Sequence, residues 1–427
     1  MDYFKYKNGA LFCEEVNISE LSNIKTPFYL YSWNTFREHF LRFKDGFKEV
    51  EPLICFAVKT CNNPSILKGL SALGAGMDIV SGGELFLCRH AAVPPEMIVY
   101  AGVGKTVEEI EFAIESGIGF FNVESEPEFL RIEEIAKRKG AFVKALLRVN
   151  PDEYDKRTPD KTTTGKRGGK FGVDYGDALN FFDAHGKSAN VNLCGLHIHI
   201  GSPIYSPEPY TRAITKIREL IEKIESKGFS IKYLDIGGGF AADYELGDAP
   251  SWSDYSAEIV PVLKPLYDRG VKIIIEPGRC ISANAGILVC EVQYVKKTSL
   301  NRDIIIVDTG MHHLIRPALY GAKHFIWPIN TGRTYSVAER KFDLDFEGLI
   351  ECDIVGPICE SSDYLAKERK LPPVYSADRL AVFSAGAYGL VMASRYNSHP
   401  LPAEYLVDED EVILIRKRES YDDLLVL

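Results

Sequence analysis

The chain has 427 residues, 46% of them hydrophobic and 26% charged, with a formal net charge of −10. That length suits two domains with a large apolar core. The acidic balance leaves no electrostatic footprint for nucleic acid, and no run of about 18 apolar residues offers a membrane span.

The N-terminal stretch MDYFKYKNGALFCEE has no apolar signal core and no small-residue cleavage site. The nine cysteines form no CxxC or zinc spacing. Reduced thiols in a cytoplasmic protein are the expectation. Along the chain, short apolar runs alternate with amphipathic stretches. The predicted strands are Ile54–Lys59, Gly76–Val80, Met97–Ala101, Gly119–Val123, Lys144–Val149, Leu193–Ile200, Lys232–Ile236 and Lys272–Glu276. Between them lie helical patterns such as PSILKGLSAL, TVEEIEFAIESG, EPEFLRIEEIAKRKG and YSAEIVPVLKPLYDRG. In YTRAITKIRELIEKIESKG, Ile214, Ile217, Ile221 and Ile224 keep helical spacing, and Gly228 is a natural stop. Eight strands alternating with helices predict a (β/α)8 TIM-type barrel over 35–282, with a doubly wound open sheet as the competing architecture. After about Ser282 the rhythm changes. GILVCEVQYVKKT, RDIIIVDTG, GLIECDIVGP and DRLAVFSAGAYG read as strands without regular helices between them, as does the early PFYLYS. A mostly β, barrel-like second domain is expected from both chain ends, 1–34 and 283–427.

In a barrel, chemistry gathers at the C-terminal strand ends. These ends carry Lys59, Asp78 with Ser81, Glu124, Arg148 with Asn150, His197 with His199, Gly237–Gly239, and Glu276 with Arg279. Lys59 follows the apolar run Ile54–Val58. It reads either as a solvated strand end or as an amine whose partial burial frees its lone pair to attack an aldehyde. The second reading asks for a phosphate cradle, a partner for a pyridine nitrogen and a flat group against the ring. The glycines of YLDIGGGF could let backbone N–H groups approach an anion. Glu276 could hold the nitrogen, or else pair with Arg279. His197 and His199, two apart on one strand, suggest zinc, but no third ligand is evident in the sequence. No metal is therefore expected. His199 suits ring stacking, and His197 a hydrogen-bonded core position.

Taken together, FAVKTCNNPSIL, GAGMDIVSGGEL, TTGKRGGKFG, GLHIHIGS, LDIGGGF, EPGRCISANAGIL, VDTGMHHLIRPALYGAKH, VGPICESSD and GAYGLVMASRYNSHPLPAEYLV span nearly the whole chain. On these stretches the sequence resembles the fold-type III pyridoxal 5′-phosphate (PLP) decarboxylases, and within them the diaminopimelate decarboxylase family. The resemblance implies an alanine-racemase-like barrel with PLP held on Lys59 and His199 stacked on its ring. It implies Glu276 at the pyridine nitrogen, and Asp78, Ser202, Gly237, Gly238, Gly239, Gly278, Arg279 and Tyr388 around the cofactor. It further implies a homodimer with shared sites, Cys359 as proton donor, and Arg279, Arg316, Tyr320, Glu360 and Tyr388 reading an amino-acid substrate. The implied reaction removes carbon dioxide from the D-centre of meso-2,6-diaminopimelate to leave L-lysine. On charge alone, Arg316 suits a carboxylate remote from the reacting centre and Glu360 an ammonium. A sibling decarboxylase of a carboxylated polyamine, a siderophore or an acyl-carrier substrate stays open, as does a non-catalytic, partner-binding homologue. A racemase would bring an arginine to the pyridine nitrogen where this chain has Glu276. The chain departs from the family at Thr60–Cys61 after the lysine, at Pro203, and in DKRTPDKTTTG, all near the mouth.

Overall fold

The computed structural model describes residues 2–244, 247 and 249–425. The chain divides into two compact units, Met1–Glu38 with Ala242–Asp248 and Cys280–Leu427, and His39–Ala241 with Ala249–Arg279.

The second of these is a closed barrel. Its strands are β1 (Leu53–Ala57), β2 (Gly76–Ile79), β3 (Ile98–Tyr100), β4 (Phe120–Val123), β5 (Val143–Asn150), β6 (Val191–His197), β7 (Tyr233–Asp235) and β8 (Lys272–Ile275). Each pairs in parallel with the next, and β8 pairs with β1, which closes the ring and excludes the open sheet. The runs are apolar because parallel strands are covered on both faces. Local signals start and stop the intervening helices. The Asn63 side chain accepts from Ser65 N and Pro64 fills the first turn of Pro64–Ala72. Ser81 caps Gly82–His90 rather than facing the mouth, and Thr106 builds a capping box for Val107–Ser116. Glu208–Ser226 buries Ile214, Ile217, Ile221 and Ile224, and Gly228 takes φ +89° just beyond it, as the spacing predicts.

Inside the ring, side chains step inward every second residue. Cys55, Val99, Phe120, Leu146, Cys194 and Ile274 form one apolar layer, with Leu53 and Tyr233 against it. Two residues further on, the same strands deliver Ala57, Asn122, Arg148 and Glu276. The core therefore turns from apolar to polar within one step along the barrel axis.

The other unit is mostly sheet. Phe28–Ser32 runs between Gly286–Lys297 and Ala403–Asp408, so strands from both ends of the chain share one sheet. Asp303–Val307, Ile350–Val355 and Tyr364–Leu371 extend it on one side, and Glu411–Arg416 on the other. Arg379–Val382 pairs with both Gly286–Lys297 and Ile326–Pro328. No described helix is long and apolar enough to cross a membrane.

Candidate active site

Lys59 does not lie on β1. The strand stops at Ala57, and Val58–Thr60 forms a 3-10 turn pinned by Thr60 Oγ1 to Ala57 O at 2.8 Å and Cys61 N to Val58 O at 3.0 Å. Gly278 supports this turn, since an added Cβ there would lie 2.6 Å from Thr60 Cγ2. The Lys59 side chain is one-third exposed and its Nζ lies 2.6 Å from Oδ2 of Asp78, which is fully buried at the end of β2. Burial, then the negative charge of Glu276, push the Asp78 carboxyl up to about 7 against the pull of Lys59. Its second oxygen, Oδ1, is buried without a hydrogen-bond partner.

Across the ring, three inward residues surround Glu276, which is 3% exposed. Asn122 Nδ2 donates to Glu276 Oε1 at 3.2 Å and reaches Asp235 Oδ2 at 3.4 Å. His197 Nε2 stands 3.5 Å from Glu276 Oε2, too far for a normal hydrogen bond, and both its ring nitrogens lack one. Burial disfavours charge on both carboxyls. His197, Lys59 and Asp235 more than offset it at Glu276, whose carboxyl sits well below the usual range. Asp235 is pushed well above it, by burial and then by Glu276. Glu276 is thus the charged member, and Asp235 holds its proton. Burial lowers the His197 imidazole, against the opposing pull of Glu276.

This cluster corrects the sequence reading of the histidine pair. His197, Asp235 and Glu276 bring ligand-capable atoms within 4.8 Å of one another, so further ligands do approach His197. His199 is not among them. Strand β6 ends at His197 because its neighbour β7 ends at Asp235, and His199 lies in the following loop. There its Nδ1 accepts from Gly238 N at 3.1 Å, and burial followed by Arg148 and Lys59 holds it well below the usual imidazole range. It is a neutral, half-buried ring at the mouth.

The glycine turn is built for close approach. Gly237 and Gly239 take φ +70° and +104°, open to glycine at little cost. An added Cβ would lie 2.3 Å from Ile198 O at Gly237, 2.1 Å from Glu276 O at Gly238 and 2.2 Å from Gly201 O at Gly239. Two of the three N–H groups expected for an anion are spent within the protein, that of Gly237 on Asp235 Oδ1 at 2.9 Å and that of Gly238 on His199. Nearby, Arg279 Nε donates to Ser202 Oγ at 3.2 Å. Around the rim, Arg148 Nη1 bonds Glu124 Oε1 at 2.6 Å as a buried pair, with Gly172 N on Glu124 Oε2 at 2.8 Å. The segment Thr158–Lys170 is tied to the mouth, with Thr164 Oγ1 on His199 O at 3.0 Å and Thr158 Oγ1 on Pro203 O at 2.6 Å.

The remaining candidates belong to the sheet-rich unit. Cys359 is exposed while the other eight cysteines are buried, and its Sγ lies 3.4 Å from Asn397 Oδ1. Glu360 is exposed and accepts from Tyr396 at 2.7 Å. Hydrogen bonds from Ser362 and then Tyr396 hold its carboxyl below the usual range. Asp363, which the motif alone did not single out, fixes this loop by accepting from Met311 N at 2.6 Å and Ile358 N at 2.7 Å. Arg316 is buried at the start of the short helix Arg316–Tyr320, and Tyr320 is partly exposed at its end. Tyr388 packs with Tyr244 against Ala242, Ala283 and Ala387, at φ +56°. An aromatic residue in the left-handed region is strained, as functional sites often are.

Asn122 and Asp235 are the site residues that sequence reasoning missed. Period-two alternation was the available signal, since each lies two residues beyond a member or neighbour of the apolar layer.

Residues 33–283 match the family described as pyridoxal-dependent decarboxylase, pyridoxal binding domain. The chain is 45% identical over 423 residues to a diaminopimelate decarboxylase of Aquifex aeolicus, covering 98% of this chain and 96% of that one. It is 40% identical to a diaminopimelate decarboxylase of Haemophilus influenzae, covering 100% and 99%. Among solved structures, the Helicobacter pylori diaminopimelate decarboxylase complexed with L-lysine superposes with a TM-score of 0.87 at 38% identity, covering 96% of this chain and 98% of that one. The M. jannaschii diaminopimelate decarboxylase in complex with L-lysine gives 0.90 at 32%, covering 99% and 97%. By fold, by the residues gathered at the barrel mouth and by full-length similarity, the chain belongs to the pyridoxal-dependent decarboxylases, in the family of the diaminopimelate decarboxylases.

Proposed function

We propose that the protein decarboxylates meso-2,6-diaminopimelate at its D-centre, releasing carbon dioxide and L-lysine. The observation that carries this reading is the pairing of Lys59 with buried Asp78 at one side of the barrel mouth and an ionised Glu276 at the other. The residues fit PLP. Lys59 offers an amine, the glycine turn keeps backbone free of side chains beside the Arg279–Ser202 pair, and Glu276 is the charged carboxylate a protonated ring nitrogen requires. When bound, PLP supplies an aldehyde that condenses with amines and a ring that takes up the electrons left as carbon dioxide departs.

The side chains then take separable parts. Lys59 must shed a proton before its lone pair can attack a carbonyl. Asp78 Oδ2 is 2.6 Å away on a carboxyl that titrates about 7, so it can receive that proton near neutral pH. Asn122 fixes Glu276 by its hydrogen bond, and the protonated Asp235 beside it avoids a second buried charge. A neutral His199 suits stacking on a flat ring better than an imidazolium, which would repel the ring's own positive charge. Gly239, Ser202 and Arg279 make the phosphate side, with Gly278 beneath the Lys59 turn.

For the substrate, Arg279 and Arg316 take carboxylate and Glu360 the ammonium of the unreacted end, with Tyr320 and Tyr388 adding hydroxyls. Cys359 returns a proton to the carbon that loses carbon dioxide. Its exposure, and that of Glu360, support a homodimer in which this segment of each protomer completes the other's site. We place the enzyme in the cytoplasm, as its reduced thiols suggest. The test is a substrate panel of meso-, LL- and DD-diaminopimelate, L-lysine and L-ornithine with the PLP-loaded protein. One carbon dioxide and one L-lysine per meso-diaminopimelate are expected. Turnover of another amino acid with none of diaminopimelate would overturn the assignment.

A further inference from the structure

Arg316 is held by a device that its motif does not reveal. Its guanidinium lies 4.6 Å over the ring of Tyr244. Its Nη1 stands 2.9 Å from Nε2 of His324, eight residues further along and fully buried. The other ring nitrogen, Nδ1, is 2.9 Å from the backbone oxygen of Phe383. A carbonyl can only accept, so Nδ1 carries the proton and Nε2 is the bare, accepting nitrogen. Phe383 is itself fixed, its N donating to Phe325 O at 2.8 Å. Tyr244 meets the His324 ring edge-to-face at 5.6 Å and 90°. Gly321, at φ +63°, ends the Arg316–Tyr320 helix and turns the chain so that His324 comes back to Arg316.

A carboxylate in the place of His324 would orient the guanidinium and also cancel its charge. A neutral imidazole orients it without contributing a negative charge of its own. We infer that His324 is a positioning residue that aims Arg316 at a carboxylate on the unreacted end of the substrate, and so sets the preference for substrates carrying one. This rests on the proposed role of Arg316. A merely structural His324 would affect all ligands alike, and a positioning one only those with that carboxylate.

L-Lysine and cadaverine differ by that carboxylate and separate the two cases. Their affinities for the PLP-loaded protein are read from the cofactor's visible spectrum. His324→Leu should weaken L-lysine about 10- to 100-fold and leave cadaverine within about threefold. His324→Gln should recover most of the L-lysine affinity, because its amide can donate to Phe383 O and accept from Arg316. Equal weakening of both ligands, or no weakening by His324→Leu while Arg316→Lys loses L-lysine selectively, overturns the inference alone. If Arg316→Lys shows no selectivity, the role of Arg316 fails and the inference with it. Should His324→Leu not fold, Tyr244→Leu serves, since Tyr244 is partly exposed. A selective loss of L-lysine supports the inference and an unselective one overturns it.

Discussion

Gly238 has no room for a side chain, and its neighbours cannot easily move. An added Cβ would sit 2.1 Å from the backbone oxygen of Glu276 and 3.1 Å from its carbonyl carbon. Relief requires the β7 turn to shift by about 1 Å, the shortfall from ordinary van der Waals contact. Three hydrogen bonds resist that shift, Glu276 N to Gly237 O at 2.9 Å, Tyr210 Oη to Gly238 O at 2.8 Å and Gly238 N to His199 Nδ1 at 3.1 Å. Overpacking of this kind costs about 1–3 kcal/mol. Because the displaced atoms carry both Glu276 and His199, we expect most of that cost in cofactor binding, about 10- to 100-fold in affinity at 1.4 kcal/mol per decade. The assay is titration of cofactor-free Gly238→Ala with PLP, followed by its visible absorbance, beside Gly104→Ala. At Gly104 an added Cβ meets nothing within 4 Å, so that variant should match the parent. Equal PLP affinity and equal Tm for the two variants would refute the steric argument and with it the place of this turn in the cofactor site.

Other consequences follow from charge and from assembly. In the folded, cofactor-free protein Asp78 keeps its proton up to about pH 7, whereas the unfolded chain releases it near the ordinary aspartate value of 3.8. The folded state therefore binds more protons between these values, and this group makes stability fall as pH rises from about 4 to about 7, by a few kcal/mol at most. Asp78→Asn should flatten that part of the Tm–pH profile, and an unchanged slope would contradict the burial argument. If sites are shared between protomers, Lys59→Ala and Cys359→Ala homodimers should each be nearly inactive. Their random mixture should regain about a quarter of the parent activity, since half the dimers are mixed and each has one intact site of two. No recovery after proven subunit exchange would argue for sites built within one chain. Cys359→Ala should keep its PLP absorbance while losing turnover, and normal turnover would remove Cys359 from the proton step.

Much of the barrel was legible in the sequence because strands covered on both faces leave unbroken apolar runs, and all eight runs proved to be strands. Ring closure was not legible, because it depends on β8 pairing with β1, some 220 residues apart in the chain. Strand ends were read too long at Lys59 and His199. An apolar residue such as Val58 or Ile198 continues the pattern whether or not a neighbouring strand is there to pair with it. Lys59, Asp78, His199 and Glu276 could be named from their place after apolar runs and from family resemblance. Asn122 and Asp235 could not, since their meeting with Glu276 requires three strands to bend into one ring. The exposure of Cys359 was readable from its polar neighbours, whereas the Asp363 contacts that shape its loop were not. The Arg316–His324 contact depends on the backbone turn at Gly321 and on a carbonyl near residue 383, neither of which leaves a periodic trace.

The central claim is that the amine of Lys59 is the point of covalent attachment for PLP. Borohydride reduction of the PLP-loaded protein, followed by proteolysis and mass spectrometry, tests it directly. The account predicts a single pyridoxyl-phosphate adduct on the peptide containing Lys59. An adduct on another lysine, or a protein saturated with PLP that traps none, would contradict it.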